Sequence, residues 1–243
     1  MTHQLSSELL KLRTTRTVAA LLLAAAGLTL LGTLIEGLSR TAGELAQEDA
    51  QRTMFSAGIS AVFFATLAGL IVVTSEFRYG TIRPTLLAEP RRRIVLAAKL
   101  LVAALAGVLF AIVCVGIAFG GGLAILAARD IHAAVSAAHI TPLVFGTIAS
   151  SALGAMLGVA VGTLIRNQAG AIVAIAAYAF LVDAALFAAA PSVGRFLPGK
   201  AGDALAARPD ELLLGPGAGA AMLIAWTLAF VAAAVVRSDR SDV

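Results

Sequence analysis

Six apolar runs, each near the length needed to cross a bilayer, constrain this chain more than any other feature. They fall at about 18–35, 55–74, 97–119, 142–165, 169–190 and 216–236, and crossing about 30 Å of hydrocarbon takes about 20 helical residues. Backbone groups find no water partner there, so helices rather than open sheets are required. The runs are continuous and lack the alternation of a barrel strand. With 60% hydrophobic and 13% charged residues and a mean hydropathy of +0.95, the chain is too apolar for one water-soluble core. The expected fold is all-α, a single polytopic transmembrane domain over residues 1–243. The longest stretch left outside the bilayer, Pro191 to Gly215, is too short for a soluble catalytic module of about 50 residues or more.

Charge sets the orientation. With the N-terminus inside, the cytoplasmic ends of the runs hold twelve Lys and Arg residues and the outer ends six, which favours an N-in, C-in topology. The net charge of +4 is thereby accounted for without a nucleic-acid partner. Residues 4–13 place Leu5, Leu9 and Leu12 at i, i+4 and i+7 with Glu8 and Lys11 beside them, the pattern of an amphipathic helix lying in the interface. The Ala24-Ala25-Ala26 run sits inside the first apolar segment rather than after it, so an uncleaved first span is expected.

Half of the twelve inner cations, Arg78, Arg83, Arg91, Arg92, Arg93 and Lys99, lie in TSEFRYGTIRPTLLAEPRRRIVLAAK, around a loop at about 75–96. Gly80 can turn the chain at positive φ, Thr81 can cap the amides that follow, and Pro84 is tolerable in a first helical turn. A short helix is therefore expected from Ile82 to Ala88, with Ile82, Leu86 and Leu87 on one flank and Arg83 in water. Pro90 ends it, and Arg91 to Arg93 mark the water boundary before the next span.

Glu76, Gly80-Thr81, the Leu86-Leu87 pair, Pro90, Arg92 or Arg93, and Ala98-Lys99 together give the chain a pattern that resembles the permease subunits of ATP-binding-cassette exporters of the type-2 class. The resemblance implies that the loop after the second span carries a coupling helix docked on a separate ATPase subunit. It also implies that residues 4–13 are the elbow helix, that a re-entrant turn follows the fifth span near Pro191, and that a second permease copy completes a homodimer or heterodimer. The implied roles are loop shape for Gly80 and Thr81, docking for Arg83 and Leu86, and gating or anchoring for Glu76 and Arg91 to Arg93. ATP and magnesium belong to the partner, with no cofactor or metal in this chain.

Other features add to this frame. Gly146, Ser150, Gly154, Gly158 and Gly162 recur every four residues along the fourth span, a small-residue face that lets helices approach backbone to backbone. It serves either static packing or a contact that changes during transport. Asp183 lies within the fifth run at an insertion cost of about 3 kcal/mol, and such residues face a cavity or a partner. Gly120 to Gly122 weaken a helix by about 1 kcal/mol each, predicting a kink or end there and a helix leaning out over Leu123 to His139. His132 and His139 share a face without a ligand set of recognisable spacing. Cys114 is a packing residue in mid-span. GRFLPGK at 194–200 imitates a phosphate loop, but Ala201 lacks the metal-binding hydroxyl and Pro198 lacks an amide.

The function expected is thus a permease subunit in a bacterial plasma membrane, a source hinted at by the Ala, Gly and Arg usage. The alternatives are an ion-coupled secondary carrier, for which Asp183 alone is a poor supply of charge, or a non-transporting membrane partner of a sensor. An intramembrane enzyme would need paired acids or a His beside an acid within the spans. Neither is present.

Overall fold

The apolar runs, with no water to bond their backbone, close their hydrogen bonds within each segment. The computed structural model describes residues 6–11, 15–81, 84, 87 and 91–239, and no strand occurs among them. Six helices in the described residues are long and apolar enough to cross a membrane: Arg16–Ser39, Glu48–Tyr79, Arg92–Ala128, Ala137–Ile165, Gln168–Ala189 and Pro216–Asp239. They are the first to sixth spans below.

Spans 2, 3 and 4 form the centre. The most apolar stretch of each is 56%, 44% and 50% buried, against 22%, 17% and 22% for spans 1, 5 and 6. Their shared core joins Ala61, Ala65 and Ala68 to Phe110, Ala111 and Cys114 and to Ala155, Val159 and Ala160. Cys114 is a buried free thiol in this core. Small side chains dominate because the backbones nearly touch: a Cβ on Gly69 would collide with the carbonyl of Ala155, and one on Gly107 with that of Ser151.

The structure corrects the expected break at Gly120 to Gly122. The third span runs unbroken from Arg92 to Ala128, and Ile131 to Ser136 are irregular before the next helix starts at Ala137. Tertiary packing outweighs the weak propensity. Gly122 faces Phe55, whose ring carbon lies 2.6 Å from where a Cβ would stand, and Gly121 faces Thr33 and Leu30. At 37 residues this helix is about 55 Å long, well beyond the hydrocarbon thickness.

Because the spans are even in number, residues 6–11 and Asp239 share one face of the bundle, called here the terminal face; Arg93 pairs with Asp239 at 2.7 Å. On the opposite face Gln51 is buried and fastens three segments. Its amide donates to the carbonyls of Leu45 and His132 at 3.0 Å each and accepts from Ala134 N at 2.8 Å. Arg129 closes the end of the first span by donating to the carbonyls of Gly37 and Arg40, 2.8 Å each, where helix carbonyls lack intrahelical partners. His139 meets Glu48 at 2.6 Å. The turn between spans 4 and 5 is short because Arg166 takes the left-handed conformation at φ 56° and Asn167 caps the next helix through Gly170 N.

Candidate functional site

The stretch between spans 2 and 3 shows how the sequence builds the site. Span 2 stays helical to Arg78, and Gly80 turns the chain at φ 69°, a conformation that glycine adopts without steric cost. Thr81 follows in an exposed turn, and Pro84 and Leu87 are helical and exposed. Ile82, Arg83, Leu86, Ala88 and Pro90 lie outside the described residues.

Glu76 and Lys99 are not loop residues. Both are buried within helix ends, and Lys99 Nζ joins Glu76 Oε1 at 2.7 Å and Glu8 Oε2 at 2.9 Å. Lys11 completes the group with Glu8 Oε1 and Glu76 Oε1, each at 2.7 Å. Two acids and two bases from the 6–11 helix and spans 2 and 3 thus close on one another. The sequence places Glu8 and Lys11 beside an apolar stripe, but the structure buries Glu8 against the bundle and exposes Leu9 and Leu10. A carboxylate needing a buried lysine decides which way this helix faces, because an unpaired buried charge costs far more than an exposed leucine in an apolar surround. Burial works to lower the Lys11 pKa, but hydrogen bonds and charges from Glu76 and Glu8 outweigh it and raise the value. A cavity of about 440 Å³ adjoins the group, lined by Glu8, Lys11, Thr15, Glu76 and Tyr79 among others. Glu76 Oε2 is buried without a hydrogen-bond partner among the described residues.

The arginine run engages the last helix. Arg92 donates to the Ser238 carbonyl at 2.7 Å, and Arg93 reaches Asp239 Oδ2 through Nη2 at 2.7 Å and Nε at 3.2 Å. Cations near a helix C-terminus also suit its dipole. Arg91 is exposed at the head of span 3. Arg166 stands 5.2 Å from the Phe77 ring centroid; burial, then the charges of Arg237 and Arg92, lower its pKa. The terminal face therefore concentrates positive charge.

The small-residue face of span 4 is divided between two neighbours within the chain. Towards the opposite face, a Cβ on Gly146 would meet the Leu205 carbonyl, and Ser150 donates to the Gly202 carbonyl at 3.0 Å. Towards the terminal face, Gly154, Gly158 and Gly162 lie against Val62, Thr66 and Leu70 of span 2.

Asp183 is turned away from lipid by an irregularity. Residues Tyr178–Val182 form a π turn, and Asp183 N bonds back to the Tyr178 carbonyl. The carboxylate is buried, accepts from Tyr178 Oη at 3.1 Å and lies 3.9 Å from Lys200 Nζ. Lys200 also pairs with Asp203, as does Arg208, both at 3.3 Å. The GRFLPGK segment supplies this partner: Pro198 opens a helix to Leu205, and Gly199 passes so close that a Cβ would stand 2.7 Å from both Asp183 oxygens. Sequence reasoning finds Asp183 but misses Tyr178, Lys200 and Asp203; a lone acid in an apolar run is a signal to search the adjoining loops for a base.

Among the described residues no cluster of three or more His, Cys, Asp or Glu side chains suits a metal ion. No curated protein matches the chain. A family model described as "ABC-2 family transporter protein" matches residues 4–182, a segment that takes in the 6–11 helix, the charged junction and the spans as far as the π turn.

Proposed function

The chain belongs to the ABC-2 transporter family, and from that premise we propose that it is the membrane-spanning permease subunit of an ATP-driven exporter, worked by a separate ATPase subunit docked at about residues 75–96. ATP and magnesium are held by that partner, and a second permease copy faces the exposed sides of the outer spans. The terminal face is cytoplasmic, as the excess of basic residues there favours, and the membrane is the bacterial plasma membrane.

The observation that carries this reading is the Lys99 bridge to Glu76 and Glu8. It pins together the two helices that bracket the loop, along with the 6–11 helix. A push on the loop is then borne by spans 2 and 3 as a unit, and both pack on span 4. ATP shifts the permease between inward- and outward-open arrangements only to the extent that the ATPase holds the loop differently in each. Gly80 and Thr81 shape the loop, Arg83 and Leu86 make the docking contact, and Pro90 ends the short helix. Arg91, Arg92 and Arg93 anchor its exit.

The test is Arg83→Glu in the permease co-expressed with its cognate ATPase. The expected result is loss of the stable complex and at least a tenfold fall in transport-coupled ATP turnover, with the permease still folded. Unchanged assembly and turnover would remove Arg83 from the docking surface.

A further inference from the structure

A second charged group, near the opposite face, lines a cavity of about 340 Å³ between spans 2, 4 and 5 and the Pro198–Leu205 helix. Its walls change character with depth. At the outer end stand Asp183, Lys200, Asp203 and Arg208, while Phe63 and Ile175 line the cavity further in. Ile175 precedes Asp183 by eight positions on span 5, which sets it about 12 Å deeper along the helix. The Phe63 and Phe180 rings meet edge to face at 5.1 Å and wall the cavity on the side of span 5.

The charges alternate and cancel. Asp183 faces Lys200 at 3.9 Å, Lys200 faces Asp203 at 3.3 Å, and Arg208 faces Asp203 at 3.3 Å. The Asp183 to Lys200 separation is beyond hydrogen-bonding reach, so a ligand can bring one charge to Asp183 and the opposite charge to Lys200 without breaking a close contact between those two. A ligand with one charge would leave Asp183 or Lys200, whose side chains are 8% and 17% exposed, without an added counter-charge, which is costly for groups largely removed from water. A ligand with an amine and a phosphate brings both signs at once, its amine matching Asp183 and its phosphate sharing Lys200 and Arg208 with Asp203. A polar outer end above an apolar, aromatic interior also matches how a lipid stands in a leaflet, and the volume lies in the range of ligand pockets.

We propose that this cavity binds a zwitterionic amphiphile of the phospholipid type, its amine against Asp183, its phosphate against Lys200 and Arg208, and its acyl chain along Phe63 and Phe180. The site goes beyond the permease assignment and needs no ATPase to be occupied.

The experiment uses the full-length chain in nanodiscs, labelled with phosphatidylethanolamine or phosphatidylglycerol carrying a diazirine in the acyl chain, with crosslinks mapped by mass spectrometry. Phosphatidylethanolamine is expected to label span 5 and the facing part of span 2 at least tenfold more than phosphatidylglycerol. Asp183→Asn and Lys200→Gln should each cut that labelling at least tenfold, while Leu23→Ala on the exposed side of the first span leaves it unchanged. Should Asp183→Asn fail to fold, Lys200→Gln carries the test, with competition by unlabelled phosphatidylethanolamine against the wild-type chain. Equal labelling by both lipids, undiminished labelling of Lys200→Gln, or equally effective competition by a cationic amphiphile without phosphate would overturn the proposal. Failure to find an ATPase partner would leave the lipid result intact, so the two readings fall separately.

Discussion

Near each end of the bundle two acids and two bases come together, and the two groups differ in how they close. Glu8, Lys11, Glu76 and Lys99 are joined at 2.7 to 2.9 Å, and Glu8, Glu76 and Lys99 are buried. Asp183, Lys200, Asp203 and Arg208 are strung along 3.3 to 3.9 Å at the edge of a cavity. The same residue types therefore serve two ends. A closed group fixes three helices relative to one another, whereas an open one keeps its charges available to something that enters.

The largest loss is expected from Lys99→Ala. It leaves the buried carboxylates of Glu8 and Glu76 with the partly exposed Lys11 as the remaining cation of the group, and a cost of about 3 kcal/mol, the low end for breaking a buried pair, is expected, read as a lower unfolding temperature in detergent. Lys200→Ala should cost clearly less, because its partners are already loosely held. Near-equal losses would erase the distinction between the groups.

Gly199→Val probes the open group from its other side. The new side chain would press on both Asp183 oxygens at 2.7 Å, and overpacking of this kind costs about 1–3 kcal/mol. The same change at Gly116, where a Cβ meets nothing within 4 Å, should be far milder in the same unfolding assay. Equal effects would mean that Gly199 is not held against the carboxylate.

The smallest effect is expected from pH at Lys11. Its pKa is raised in the folded chain, so its contribution is present in full below the ordinary lysine value of about 10.4. It is lost as pH climbs through the raised value above that. The stability difference between wild type and Lys11→Met should stay level from neutral pH to about 10 and shrink only beyond it. Because Lys11 is partly exposed, solvent screening keeps the difference small. A difference that vanished by pH 9 would place Lys11 outside the closed group.

Much of the architecture is legible in the sequence, because length and hydropathy alone dictate six helices in hydrocarbon. The misreadings come where one segment answers to another far away. The glycines at 120–122 predict a break until Phe55, Leu30 and Thr33 are seen to occupy the space beside them. Glu76 and Lys99 stand out as charges at span ends, but their bond crosses 23 residues and recruits Glu8 from 91 residues away, which no local period encodes. The N-terminal leucines read as the apolar face of a helix lying in the interface, and Leu9 and Leu10 are exposed; what the period does not show is that Glu8 is buried against the bundle. Asp183 is conspicuous by its cost alone, and its base lies in a segment whose letters imitate a different site.

The π turn at Tyr178–Val182 carries a consequence for how the fifth span tolerates change. A regular helix advances about 100° per residue, and the wider winding of a π turn accommodates one residue more than regular winding would. Everything after it is rotated by that amount relative to a uniformly wound segment. Spacing here therefore matters more than composition: any Ala, Leu or Val along this stretch is as greasy as the next, yet the same residues wound as a regular helix would carry the carboxylate about 100° around the axis and out of its socket.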